Sequence, residues 1–207
     1  MNTTDTTGTT DDGADQLRDR ILDCAVELAE AGSWESVRLR QVAEQLGIDL
    51  TDIHGYFGEK DQLIDAWFDR ADRAALLASR TPGFDTLPPV ARLETVILAW
   101  LDYLAPHRKV ARQMIGAKAE FGHVHMQVPA LMRISRTVQW FREAAGCSDS
   151  LPLRAIAESA HTGIYLLTFT HWMFDDSPGA ERTRRLLHRL LGTTTCVLPW
   201  DKQVTAD

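Results

Sequence analysis

Apolar residues recur along most of this chain at intervals of three and four, the period of a helix with one buried face. Leu17, Ile21, Cys24, Ala25 and Leu28 trace one such stripe, and Gly32 closes it. Val42, Ala43 and Leu46 trace a second stripe before Gly47, and Ile53, Tyr56 and Phe57 a third. Leu63, Trp67, Ala74 and Leu77 belong to a longer fourth, reaching about Ser79. The segment TPGFDTLPP (81–89) interrupts the pattern with Pro and Gly and is the natural domain boundary. Beyond it the spacing predicts helices over 90–104, 107–119, 129–145, 153–174 and 179–195. The stretch 153–174 is apolar on nearly every side, which predicts burial on more than one face. Ser177 followed by Pro178 reads as an N-cap with proline at the first helical position. No strand alternation and no internal repeat stands out. The expectation is an all-α fold. A disordered tail (1–14) precedes a three-helix domain (15–62), a connecting helix (63–80) and a larger helical domain (81–207).

The segment VRLRQVAEQLGIDLTDIHGYFGEKDQL (37–63) carries the most chemistry. It reads as a short helix, a tight turn at Gly47, a second short helix and the start of a third. That is a helix-turn-helix, whose second helix is shaped to enter a DNA major groove. Charge complicates the picture. Residues 15–61 hold five Arg and Lys against eleven Asp and Glu, a balance of −6 within a whole-chain net of −7. A DNA-reading domain gathers positive charge to displace counterions from phosphate. Here the second helix has neither Lys nor Arg. Asp49 and Asp52 admit two readings: a loss of DNA function, or a helix cap that complements the helix dipole.

Three groups of residues, RDRILDCAVELAEAGSWESV (18–37), VAEQLGI (42–48) and YFGEKDQLI (56–64), resemble the TetR family of ligand-responsive transcriptional repressors. The resemblance covers the first third of the chain. It implies operator-DNA binding as a homodimer and a small-molecule site in the helical C-terminal domain that controls the spacing of the two reading heads. It also implies DNA contacts from Arg38, Arg40, Thr51, His54, Tyr56 and Lys60, with Lys60 a phosphate contact at the start of the fourth helix. The pattern departs from the family at Asp49, where a small hydroxyl residue is common, at Asp52, where Thr is common, and at His54, where a phosphate-contacting Tyr is common. The expected DNA binding is therefore weak and strongly salt-dependent. A second resemblance links GSWESVRL and THWMFDDSPGAERTRRLLHRLL (170–191) to the TetR-fold lipid-binding proteins of ubiquinone biosynthesis. It implies an isoprenoid-binding cavity and no role in transcription.

In the C-terminal part, Trp100, Met114, Trp140, Phe141, Tyr165, Phe169 and Trp172 are either plain core or the wall of an apolar ligand cavity. His125, His161 and Tyr165 would supply its polar tips. The expected ligand is small and largely hydrophobic, because few fixed charges fall on inward positions. His123 and His125 have no Cys partner and no i, i+4 His pair, so they read as solvated or core residues and no metal site is expected. No nucleophile, base or phosphate loop supports an enzyme, and no cofactor is expected. No apolar run is long enough for a membrane span and no signal peptide opens the chain. Cys24, Cys147 and Cys196 fit buried thiols in a reducing cytoplasm. Dimerisation is expected through 153–174 and 179–195 as a four-helix bundle.

Overall fold

The computed structural model describes residues 8–119, 124–147 and 153–197. Helices account for nearly all of them, with no strand among the described residues. In chain order these are α1 (Gly8–Ala31), α2 (Leu39–Leu46), α3 (Leu50–Tyr56), α4 (Asp61–Ala78), α5 (Pro89–Leu104), α6 (Arg108–Ala119), α7 (Val124–Ala145), α8 (Leu153–Met173) and α9 (Glu181–Val197). Two starts are earlier than the periodicity predicts. α1 begins at Gly8, inside the segment read as a tail. α7 begins at Val124, five residues before Pro129, so the helix runs through the proline at which the periodicity predicts its start.

Contacts divide the chain into two compact units. The first runs to Asp69 and takes in Lys109–Ala119, so α6 joins the three-helix unit although the Pro/Gly break at 81–89 separates them in sequence. Specific bonds account for this. The Trp34 amide donates to Gln113 Oε1 at 2.8 Å, the Lys109 ammonium to the Gly32 carbonyl at 3.3 Å, and Lys118 pairs with Asp65 at 2.8 Å. Within this unit α1 packs on α2 and α3 through Ile21, Leu22, Ala25 and Val26, all buried, opposite Val42, Ala43 and Ile53. The Arg18 guanidinium lies 5.4 Å from the centre of the Phe57 ring, at the foot of α3.

The second unit holds Arg70–Arg108 and the chain from Glu120 onward. α5 packs on α7 and α9, and α8 on the same two helices. The α8–α9 turn is built around a carboxylate. Asp175 is buried and accepts four hydrogen bonds: from the Ser177 amide (2.9 Å) and hydroxyl (2.6 Å), and from the Thr183 amide (2.9 Å) and hydroxyl (2.7 Å). Arg108 donates to the Asp175 carbonyl while its guanidinium sits 4.8 Å from the centre of the Trp172 ring. As expected, Ser177 is the extended residue ahead of a helical turn and Pro178 takes its first position, but the helix they open is a single 3₁₀ turn. Pro178–Ala180 form a separate turn with left-handed backbone at Gly179 (φ 59°) and Ala180 (φ 52°), and α9 starts only at Glu181. Asp176, its neighbour, is exposed. Burial alone would raise the Asp175 carboxyl, but the bonds from Ser177 and Thr183 outweigh it and hold the group well below its ordinary 3.8.

A carboxyl depressed in the folded state stabilises the fold above its unfolded pKa and loses that contribution as pH falls. Asp175→Asn is therefore expected to lower the urea midpoint at pH 7, by a stability of about 2 kcal/mol. The gap between variant and wild type should narrow from about pH 5 downward as the wild-type carboxylate takes up its proton. Equal midpoints at pH 7 would remove Asp175 as the organiser of this turn.

Candidate nucleic-acid interface

α2 and α3 meet across a three-residue span, Gly47, Ile48 and Asp49, that can be followed atom by atom. Arg38 has extended backbone and its amide donates to Gln41 Oε1 at 3.1 Å, opening α2. Gly47 closes it in the left-handed conformation (φ 66°, ψ 37°), and the Ile48 amide returns to the Ala43 carbonyl at 3.1 Å. Asp49 is extended and opens α3 in a capping-box arrangement. The Asp52 carboxylate accepts from the Asp49 amide at 2.9 Å. The two carboxylates therefore serve the helix end, as the capping reading expects. Ile53 and Phe57 point into the core, while Thr51, Asp52 and His54 are exposed. An open groove of about 500 Å³ runs over the turn and is lined by Arg40, Glu44, Gly47, Asp49, Leu50 and Thr51.

The six residues proposed from sequence to touch DNA fall into three settings. Thr51 and His54 stand exposed on the outer face of α3, and Tyr56 is half-buried at its end. Arg38 and Arg40 are exposed at the start of α2. Arg40 pairs with Glu44 one turn on at 2.8 Å, with both side chains largely in water. Such an exposed pair contributes about 0.3–0.5 kcal/mol, so a phosphate can displace it at little cost. Lys60 is different. Its ammonium turns inward, donating to the carbonyls of Trp34 (2.5 Å), Val37 (2.9 Å) and Glu35 (3.3 Å).

The ligand residues proposed from sequence are also dispersed. Trp100, Tyr165 and Phe169 come together in the second unit. Trp100 meets Tyr165 edge-on with centroids 5.4 Å apart and Phe169 at 5.2 Å, while Tyr165 and Phe169 stack at 6.0 Å. Phe141 joins them, 6.3 Å from Trp100, and its neighbour Trp140 points outward, 48% exposed. His161 is buried with Nδ1 2.9 Å from the Arg142 guanidinium. Met114 is buried on α6 and so belongs to the first unit. His125 falls on α7, outside the residues whose side chains are described. Burial first, and then the charge of Asp72, push the Tyr165 phenol far above its ordinary 10.0, so it stays a neutral donor.

Fixed charges do reach the interior of this unit, contrary to the expectation from sequence. Asp72 on α4 is buried, accepting from the Trp100 indole at 2.8 Å and from the Thr137 hydroxyl at 3.1 Å, with Arg133 at 3.5 Å. Arg142 is buried as well. A signal for both lies in the spacing. Asp72 continues the buried series Ile64, Phe68, and Arg142 stands four residues beyond the buried Val138. Among the described residues no cluster of three His, Cys, Asp or Glu side chains is gathered as for a metal, and no helix is long and apolar enough to cross a membrane.

With this geometry in hand, solved structures supply the context. A TetR transcriptional regulator from Nitrosomonas europaea superposes with a TM-score of 0.78 at 49% sequence identity, covering 87% of this chain and 99% of that one. The chain belongs to the TetR family of transcriptional regulators. A second TetR regulator, from a Rhodococcus species, shares the fold at 18% identity with a TM-score of 0.63, over 94% of this chain and all of its own length (100%). No protein-family model matches the sequence, and no curated protein matches it. The TetR membership accounts for the all-helical plan and for the helix-turn-helix at its N-terminal end.

For the aromatic cluster of this TetR regulator the two tryptophans should behave in opposite ways. Trp100→Ala removes a buried ring and the donor to Asp72, and is expected to destabilise by about 4 kcal/mol in urea denaturation. Trp140→Ala, on an exposed side chain, should cost less than about 1 kcal/mol. A reversed order would mean that the ring packing is wrong.

Proposed function

We propose that this regulator binds operator DNA as a homodimer and lets go when a small, largely apolar ligand enters its C-terminal helices. The observation that carries the reading is the α2–Gly47–α3 pair. It hides Ile53 and Phe57 and leaves Thr51 and His54 outward on the helix that a helix-turn-helix lays in the major groove. Thr51 and His54 would read base edges, and Arg38 and Arg40 would meet phosphates from the start of α2. Affinity should be modest and salt-sensitive, since few cations face the duplex and Asp49, Asp52 and Glu44 share the surface with them. This reading places the protein in the cytoplasm.

The outer stripe of α8 supports the dimer. Ile156 (56% exposed) and Leu167 (51%) recur along one side, with the exposed Gly163 between them, and Phe174 (67%) follows just past the last residue of the helix. An apolar stripe of this extent on a helix is a surface awaiting a partner. Half-buried Leu186 and Leu190 of α9 would extend it into a four-helix bundle. Ile164 and Leu187, by contrast, are turned into the subunit's own core. The lipid-carrier alternative rests on the sequence pattern around the α8–α9 turn. Its Trp172, Asp175, Ser177 and Thr183 build that turn, so the pattern does not by itself speak for a lipid. The ligand reading rests on the aromatic cluster of Trp100, Phe141, Tyr165 and Phe169.

Selection of genomic fragments by the purified protein at low and physiological salt tests the DNA reading, and recovery of no fragment at either would end it. A recovered site should give a log–log salt slope on the order of three to six charges per dimer, with Arg40→Ala lowering it by less than the roughly 0.9 per monomer of an unpaired cation, because Glu44 is already its counterion. On sedimentation, Leu167→Asp and Phe174→Asp should yield folded monomers, while Ile164→Asp and Leu187→Asp should unfold the chain. An unchanged dimer in the first pair would place the interface elsewhere.

A further inference from the structure

Lys60 stands where a phosphate contact is expected, yet its surroundings assign it another task. It immediately precedes α4, and its side chain reaches back across the loop between α1 and α2. An ammonium has three N–H donors. The three carbonyls of Trp34, Glu35 and Val37 take them at 2.5, 3.3 and 2.9 Å. The charge also lies 5.0 Å from the centre of the buried Trp34 ring, on the face that attracts cations. Burial, and next the charge of Arg38, lower the Lys60 pKa from its ordinary 10.5. Arg38 shares two of the same acceptors: its Nη1 donates to the Glu35 carbonyl at 2.6 Å and to the Val37 carbonyl at 3.3 Å. Unlike Lys60, Arg38 is exposed and keeps further guanidinium donors toward solvent.

We propose that Lys60 is a positioning residue and not a DNA contact: its ammonium clamps the Trp34–Val37 loop and so sets Arg38, at the head of α2, where it can meet a phosphate. Reaching a phosphate itself would take one donor from each of three carbonyls, two of them in the part-buried floor of the loop, and leave the Glu35 and Val37 carbonyls to Arg38. Arg38 needs no such sacrifice. The proposal rests on the DNA-binding reading for its second half, while the clamp itself can be tested without DNA.

The experiment compares full-length wild type with Lys60→Met, Lys60→Arg and Arg38→Ala. Thermal midpoints are measured first. Affinity for a generic DNA duplex is then measured across a salt series, at a temperature where every variant is folded. Lys60→Met should lower the midpoint by about 3–6 °C. It should weaken DNA binding about tenfold while leaving the log–log salt slope at the wild-type value, because Arg38 still reaches its phosphate in the complex and only the cost of ordering the unclamped loop is added on binding. Arg38→Ala should lower that slope by about 0.9 per monomer. Lys60→Arg, whose guanidinium can still donate to two of the carbonyls, should restore part of both midpoint and affinity. A Lys60→Met slope that falls as far as that of Arg38→Ala would make Lys60 a phosphate contact and overturn the proposal. An unchanged midpoint would overturn the clamp, and a lowered midpoint with wild-type affinity would overturn the positioning role. If wild type binds no DNA at any salt, the DNA reading fails, and the midpoints alone decide whether the clamp stands.

Discussion

An ion taken out of water must have its hydrogen-bonding capacity filled by the protein, or the fold gives up several kcal/mol. Three side chains of this regulator meet that condition, and each ties together separate elements of the fold. Lys60 fills its donors with loop carbonyls 23 to 26 residues earlier. Asp72 gathers Trp100 of α5 and Thr137 of α7 around one carboxylate. Asp175 holds the end of α8 against the first turn of α9. Apolar burial alone is indifferent to small rotations of a helix about its axis. A buried charge with three or four directional partners is not, so these groups set the registers in which the apolar faces then pack.

The same constraint explains what could be read from the chain and what could not. The 3.6-residue period identifies the helices because each has one apolar face, and Gly47 marks its turn because only a left-handed residue closes α2 there. Periodicity cannot choose between adjacent aromatics. Trp140 and Phe141 differ by a 100° step around α7, and the structure buries Phe141 and exposes Trp140. Nor can it say which unit owns α6, and hence Met114, since that is decided by Gln113 and Lys118 reaching partners 79 and 53 residues away. Asp72 and Arg142 went unread because a charge on an apolar stripe looks like an interruption of it. The pattern around Asp175 was visible as a motif, but a motif that builds a turn carries no information about the ligand.

At the helix-turn-helix, local stability and long-range electrostatics pull in opposite directions. α3 has seven residues, too few to be helical without help, and Asp52 supplies that help by accepting the Asp49 amide. Replacing these carboxylates by hydroxyl or amide caps would keep the helix and lower the negative potential over the groove. The acidic balance of the first unit is therefore partly the cost of starting a short helix beside a tight turn. It is offset at the surface by where Arg38 and Arg40 stand, on the exposed head of α2, and not by the total number of cations.

The Arg40–Glu44 pair has a consequence for how such a surface responds to its surroundings. In the free protein Glu44 serves Arg40 as a resident counterion, held one helical turn away. A phosphate that captures Arg40 displaces this carboxylate and not a dissolved anion. Added salt loosens the resident pair as well as the incoming one, so the two effects partly cancel at this residue. On the DNA-binding reading, Arg40 would contribute an exchange of partners that is buffered against ionic strength, beside contacts that are fully exposed to it.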